Sequence, residues 1–174
     1  MLFALSDQKL AIGIWDPTNT ENTGDWIIDS TELSLNQWTH VAATRAGDVV
    51  TLYRNGVAVK SVSNYVDSPI LQGEPIRIGS RSGPSSESFG GSLAEVRIWN
   101  KALSGKELLR ALSHKLRGTE SGLMGYFPLD EGSGTVMTNL AKNGSNGTIL
   151  SMWSWEDLQL EDPLPPGGAV IIIR

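Results

Sequence analysis

The chain has 174 residues, of which 40% are apolar and 19% charged, with a formal net charge of −5 and a pI near 5.0. That is enough apolar mass for one compact domain, alone or with an appendage, and too little charge for a disordered tail. Lys and Arg are scattered and the balance is acidic, which excludes a nucleic-acid binder; the absence of Cys excludes disulfide scaffolds, thiolate zinc sites, iron–sulfur clusters and cysteine nucleophiles.

Further exclusions concern the membrane and export. The longest apolar run, residues 169–173, is far short of the roughly 20 residues a bilayer span needs, so no membrane insertion is expected. The opening residues carry Asp7, Gln8 and Lys9 and lack a basic start, so they do not read as a signal peptide. The chain is then either cytosolic or a piece of a longer exported one.

In chain order, Leu2–Ser6 and residues 10–15 are short apolar runs around a turn-prone Ser6-Asp7-Gln8-Lys9, and they predict a hairpin. Residues 16–24 (DPTNTENTG) form a polar loop without periodicity. Strands follow at residues 26–28 and 39–44. Val49–Arg54 alternates between two faces, and Asn55-Gly56 leads into Val57–Val62, the pattern of a hairpin closed by a type I′ turn. Residues 76–79 and 93–99 predict two more strands.

One helix is expected, near 104–117. Ser104 and Glu107 stand at capping-box spacing, Leu103 and Leu108 at staple spacing, Leu108, Leu109, Leu112 and Leu116 make a stripe, and Gly118 suits a C-terminal cap. Beyond it, residues 122–129 are strand-like, residues 130–134 and 143–147 are turns, and Trp153 and Trp155 share one side of a short extended run. Residues 164–168 read as a linker before an isolated strand at 169–173. About ten short strands with one helix predict an all-β antiparallel sandwich or barrel.

Three segments carry a family resemblance. Gln37-Trp38-Thr39-His40-Val41-Ala42 with Leu52-Tyr53-Arg54-Asn55-Gly56 resembles the "W-x-H-V-A … L-Y-x-N-G" signature of laminin-G-like domains. These belong to the concanavalin A-like lectin/glucanase jelly rolls. The segment from Phe89 to Ser104 is similar to the family's "F-x-G-x-L-x-E-V-R-I-W-N-x-A-L-S". The segment from Gly122 to Gly134, with Asn146-Gly147-Thr148, resembles a "G-L-x-G-Y-W-P-L-D-E-G-S-G … N-G-T" element of bacterial surface proteins.

The resemblance implies a β-sandwich with Trp38 as a plug between its sheets. It also implies opening "D-G-x-D-D-Y-V" and "E-A-W-V-K" strands that this sequence lacks. Residues 1–118 therefore read as a jelly-roll core, N-terminally incomplete. Residues 119–174 read as an extension that packs on the sandwich or begins a next module.

Candidate sites follow. The E-x-D-x-x-E strand of β-glucanases is absent: the spacing of Glu156, Asp157, Glu161 and Asp162 does not fit, nor does that of Glu87, Glu95 and Glu107. Glu95 with Arg97 two residues on reads as a surface pair or a structural hydrogen bond. His40 reads as a structural hydrogen-bonding residue and His114 as solvated. The resemblance implies a rim calcium; here the polar loop either is simply hydrophilic surface or offers oxygen ligands, with Asp16 and Asp25 the best placed because each adjoins a Trp.

Trp15 and Trp26 flank that loop, and Trp153 and Trp155 stand beside Glu156 and Asp157. These rings either fill the core or stack on sugars, with Asn19 and Asp25 binding hydroxyls. The expected function is a non-catalytic module for a glycan or protein ligand in a larger, multidomain extracellular or cell-surface chain. The alternatives are a structural or adhesion spacer and, third, a glycan-active hydrolase.

Overall fold

The computed structural model describes residues 2–6, 9–14, 25–34, 37–63, 76–79, 89–150 and 155. These hold ten strands and one helix: β1 Leu2–Ser6, β2 Lys9–Ile14, β3 Asp25–Glu32, β4 Val41–Ala46, β5 Val49–Arg54, β6 Val57–Val62, β7 Val96–Trp99, α1 Gly105–Ser113, β8 Leu123–Phe127, β9 Val136–Met137 and β10 Gly147–Thr148. All pairings are antiparallel, in sheets ordered β1-β2-β3, β4-β5-β6, β7-β8 and β10-β9. The chain is all-β with antiparallel pairing and one short helix, as the succession of short strands and turns predicts.

Short strands join through turns whose chemistry is visible in the chain. Asn55 (φ +49°) and Gly56 (φ +77°) both lie in the left-handed region, as a type I′ turn requires. The Asn55 backbone N–H donates to the His40 carbonyl at 2.8 Å, and its side-chain Oδ1 accepts from the His40 N–H at 3.0 Å. The turn is thus tied to the segment entering β4. Between β4 and β5, Gly47 (φ +60°) makes a second two-residue turn, opposite the paired Ala46 and Val49.

β4 is buried on both faces, and its adjacent Ala42 and Ala43 feed different clusters. Ala43 packs with Leu10, Ile12, Ile27, Val50 and Leu52. Ala42 packs with Trp99, Leu103, Leu108, Leu123, Tyr126 and Ala141. A third cluster joins Val96, Ile98 and Phe127. The large plugs are Trp99 and Tyr126, 5% and 1% exposed. Trp38, expected as the plug, is only half-buried ahead of β4 and belongs to none of these clusters.

Helix α1 has the capping box that Ser104 and Glu107 predict: the Glu107 N–H donates to Ser104 Oγ, and Glu107 Oε2 accepts from the Ser104 N–H at 2.8 Å. Leu103 and Leu108 are both buried, as a staple requires. The expected end at Gly118 is corrected: the helix stops at Ser113, and His114 is extended (φ −143°, ψ 142°). Its buried stripe is Leu108 and Ala111, while Leu109 is 51% exposed. Gly118 serves elsewhere. At φ +82° it lies so close to the Leu140 carbonyl that a Cβ would collide with it, and its own carbonyl accepts from the Lys142 N–H at 2.8 Å.

Residues 76–79, expected as a strand, form none; there the Gly79 carbonyl accepts from the Phe89 N–H at 2.7 Å. β8 is paired by β7 on one edge and capped on the other. Tyr126 N–H donates to Asn139 Oδ1 at 3.0 Å, and the Leu140 N–H donates to the Tyr126 carbonyl at 2.8 Å. The expected strand at 169–173 lies outside the described residues.

Candidate binding face

β3 presents two chemically different faces, because successive side chains on a strand alternate. Ile27 and Asp29 point inward, at 3% and 2% exposure; Trp26 and Ile28 point outward, at 41% and 38%. The register with β2 sets Gly13 opposite Trp26 and Ala11 opposite Ile28. Both partners are small and buried. The outer face therefore carries an indole and a branched aliphatic chain side by side, against a neighbouring strand that has little side chain at those positions.

The inner carboxylate of β3 is committed. Asp29 Oδ2 lies 3.2 Å from Arg54 on β5, and its Oδ1 accepts from the Thr31 N–H at 3.2 Å. Asp29 is therefore a tie between β3 and β5. Asp25 begins β3, immediately before Trp26. Trp155 donates its indole N–H to the Gly134 carbonyl at 2.8 Å and is half-buried, so it fastens the chain beyond β10 to the glycine turn ahead of β9. Trp15, Asp16, Asn19 and Trp153 lie outside the described residues. Among the described residues no group of three or more His, Asp and Glu could hold a metal ion.

A second polar constellation is buried and was not legible as such. Glu95 and Arg97, whose spacing reads as a surface pair or a structural hydrogen bond, are 5% and 0% exposed, so the structural alternative holds and the surface one does not. Their ion pair is 2.7 Å long, and the Tyr126 hydroxyl donates to Glu95 at 3.0 Å. The Arg97 guanidinium also donates to the carbonyls of Ala111 and His114 and lies 5.4 Å from the Tyr126 ring centroid. It thereby satisfies carbonyls at the end of α1 that a C-terminal glycine would otherwise cover. Burial, with the Glu95 charge and hydrogen bond, pushes the Tyr126 hydroxyl up to about 12. The sequence offered only the nearness of Glu95 and Arg97; Glu95 precedes β7 with a left-handed backbone (φ +57°), which spacing does not reveal.

His40 is 1% exposed, and neither ring nitrogen has a hydrogen-bond partner. Its structural hydrogen bonds, expected of the side chain, are made instead by its backbone to Asn55. Burial first, then the Arg97 charge, push its imidazole down to about 4. His114 is exposed, with Nδ1 2.7 Å from Ser113 Oγ. Among the described residues no helix is long and apolar enough to cross a membrane.

This sandwich is that of a lectin-like β-protein, and the family assignment agrees. The profile of the concanavalin A-like lectin/glucanases superfamily, in its laminin-G form, matches residues 1–109. The chain belongs to that family. The match begins ahead of the Trp38 motif and ends before the Gly122 segment. Among solved structures it is similar to one described as a "putative carbohydrate binding protein" from Bacteroides ovatus, at 22% identity and a TM-score of 0.62. That likeness covers 83% of this chain and 43% of the other, and it shows the fold. An S-layer domain-containing protein from Clostridium thermocellum is 25% identical over 59% of this chain and 50% of that one, with a TM-score of 0.40. This chain therefore spans half or less of both structures. No curated protein sequence matches it.

Proposed function

We propose that this chain is a non-catalytic binding module of a larger extracellular or cell-surface protein, and that the outer face of β3 receives a glycan. The observation that carries the reading is Trp26, an indole 41% exposed on a paired strand with Ile28 beside it. The C–H face of a pyranose ring is apolar and flat, and removing it and the indole from water gains roughly 25 cal/mol for each Å² buried. A ring carried on a paired strand is already oriented, so little freedom is lost on binding. Asp25, next in the chain to Trp26, is the hydroxyl acceptor of this reading, with Trp15 and Asn19 in the loop before it.

The role described for the Bacteroides ovatus protein makes glycans the first ligand class to test. The non-catalytic reading is supported by the lack of an E-x-D-x-x-E strand in the sequence and by the burial of the Glu95 carboxylate in a structural pair with Arg97 and Tyr126. Calcium at Asp16 and Asp25, and Trp153 and Trp155 as a further stacking pair, complete the reading. The test is a thermal-shift screen of glycans with and without calcium. A ligand at about 100 times its Kd adds about 2.7 kcal/mol, and Trp26→Ala removes that shift with little change in the unliganded Tm. No shift with any glycan returns the module to a spacer, and release of reducing sugar makes it an enzyme.

A further inference from the structure

Charge is unevenly spread along the chain. Residues 101–117 hold five of its 14 basic residues and one of its 19 acidic ones, a local charge of +4 against −9 for all the rest. Within that stretch Lys101 is paired with Glu107 at 3.0 Å, and Lys115 lies 3.8 Å from Asp130. Lys106 and Arg110 stand four apart on α1 and so share one face. Both are exposed, and neither is paired with a carboxylate among the described residues. Leu109, between them, is 51% exposed and packs on Gly56, whose neighbour Val57 is 64% exposed. The side of α1 away from Leu108 and Ala111 thus carries two unpaired cations beside apolar surface.

We propose that this face of α1 is the docking surface for residues 156–162 of the same chain. That segment holds Glu156, Asp157, Glu161 and Asp162 around Leu158 and Leu160, with no cation, so it complements both the charge and the apolar part of the face. The chain enters it from nearby. The Trp155 indole N–H is fixed to the Gly134 carbonyl at 2.8 Å, and Gly134 closes the turn that opens at Asp130, the residue met by Lys115 just beyond α1. Seven residues reach about 23 Å when extended, and the nine residues of α1 are about 14 Å long. The segment is therefore long enough to run along the helix. A phosphate or uronate polymer would match Lys106 and Arg110 but not Leu109 and Val57, which favours an acidic, leucine-bearing polypeptide. Exposed ion pairs are weak one by one, so the contact depends on several at once and loosens with salt.

The experiment is zero-length carbodiimide coupling of the full chain, which joins a Lys amine to a carboxylate in contact with it, followed by peptide mapping. The Lys101–Glu107 pair is the internal reference. The carboxylates of 156–162 couple to Lys106 in preference to Lys9, Lys60 and Lys142, a comparison that needs no variant. Arg110→Glu leaves the Lys106 amine in place and lowers that yield roughly threefold against the reference; Leu109→Ser lowers it as well. Mixing isotopically light and heavy chains separates the occupants: links within one chain support the docking, and links between light and heavy copies overturn it in favour of a second copy. Even coupling across the four lysines, or no link from 156–162 while the reference pair couples, overturns it in favour of an outside partner. A yield that Arg110→Glu leaves unchanged overturns α1 as the surface.

Discussion

Arg97 shows how a charge can be retained in an apolar layer. Its guanidinium is fully buried, yet it has one carboxylate, two helix carbonyls and an aromatic face as partners. Removing one member of such a set leaves the others desolvated and unpaired, which costs about 3–5 kcal/mol. Arg97→Met is expected to lower stability by that amount in urea unfolding; a loss below about 1 kcal/mol would make the pair equivalent to a surface one. The aromatic plugs separate in the same way. Trp99→Ala, at a buried site, is expected to cost about 3–5 kcal/mol, and Trp38→Ala, at a half-buried one, clearly less under the same denaturant titration. If Trp38→Ala costs more than Trp99→Ala, the interior is filled as the family resemblance implies and not as the packing indicates.

At the scale of elements, local chemistry was the more readable part. The capping box, the staple and the Asn55-Gly56 turn are contacts within a few residues, so spacing alone locates them. Ser104→Ala removes the acceptor for the Glu107 N–H and is expected to cost about 1 kcal/mol, read as a lower urea midpoint at unchanged slope. The end of α1 was not readable, because the group that closes it, Arg97, comes from a strand earlier in the chain. Likewise Leu109 fits a helical stripe by spacing, but the sheet lies along Leu108 and Ala111. The binding face was half legible. Trp26 stood out by residue type. The expected strand at 26–28 already puts Ile28 on its face by alternation, but the register that sets Ala11 and Gly13 beside the pair comes from strand pairing over distance and leaves no local mark.

At the scale of the whole molecule, pH acts on stability through the groups whose protonation the fold perturbs. His40 is held down to about 4 from an ordinary 6.5, by burial and then by Arg97. Between those values the unfolded chain binds a proton that the native chain refuses. Stability therefore falls as pH drops from 6.5 to 4, by roughly 3 kcal/mol at about 1.4 kcal/mol per unit, and this group adds no further loss below that. Glu107 is held down to about 2 by the Ser104 backbone N–H, then by Lys101 and the Ser104 hydroxyl. Its contribution is present above 4.5 and lost as pH falls towards 2; the group is solvated, so the loss is small. Tyr126, pushed up to about 12, acts at the other end: the unfolded chain ionises from pH 10 and the native chain does not, so stability is lost between 10 and 12. Urea midpoints measured across pH are thus expected to form a plateau near neutrality with an acid shoulder that starts near 6.5. His40→Gln moves the onset of that shoulder down to the carboxylate range. An unchanged onset in the variant would assign the acid limb to carboxylates alone.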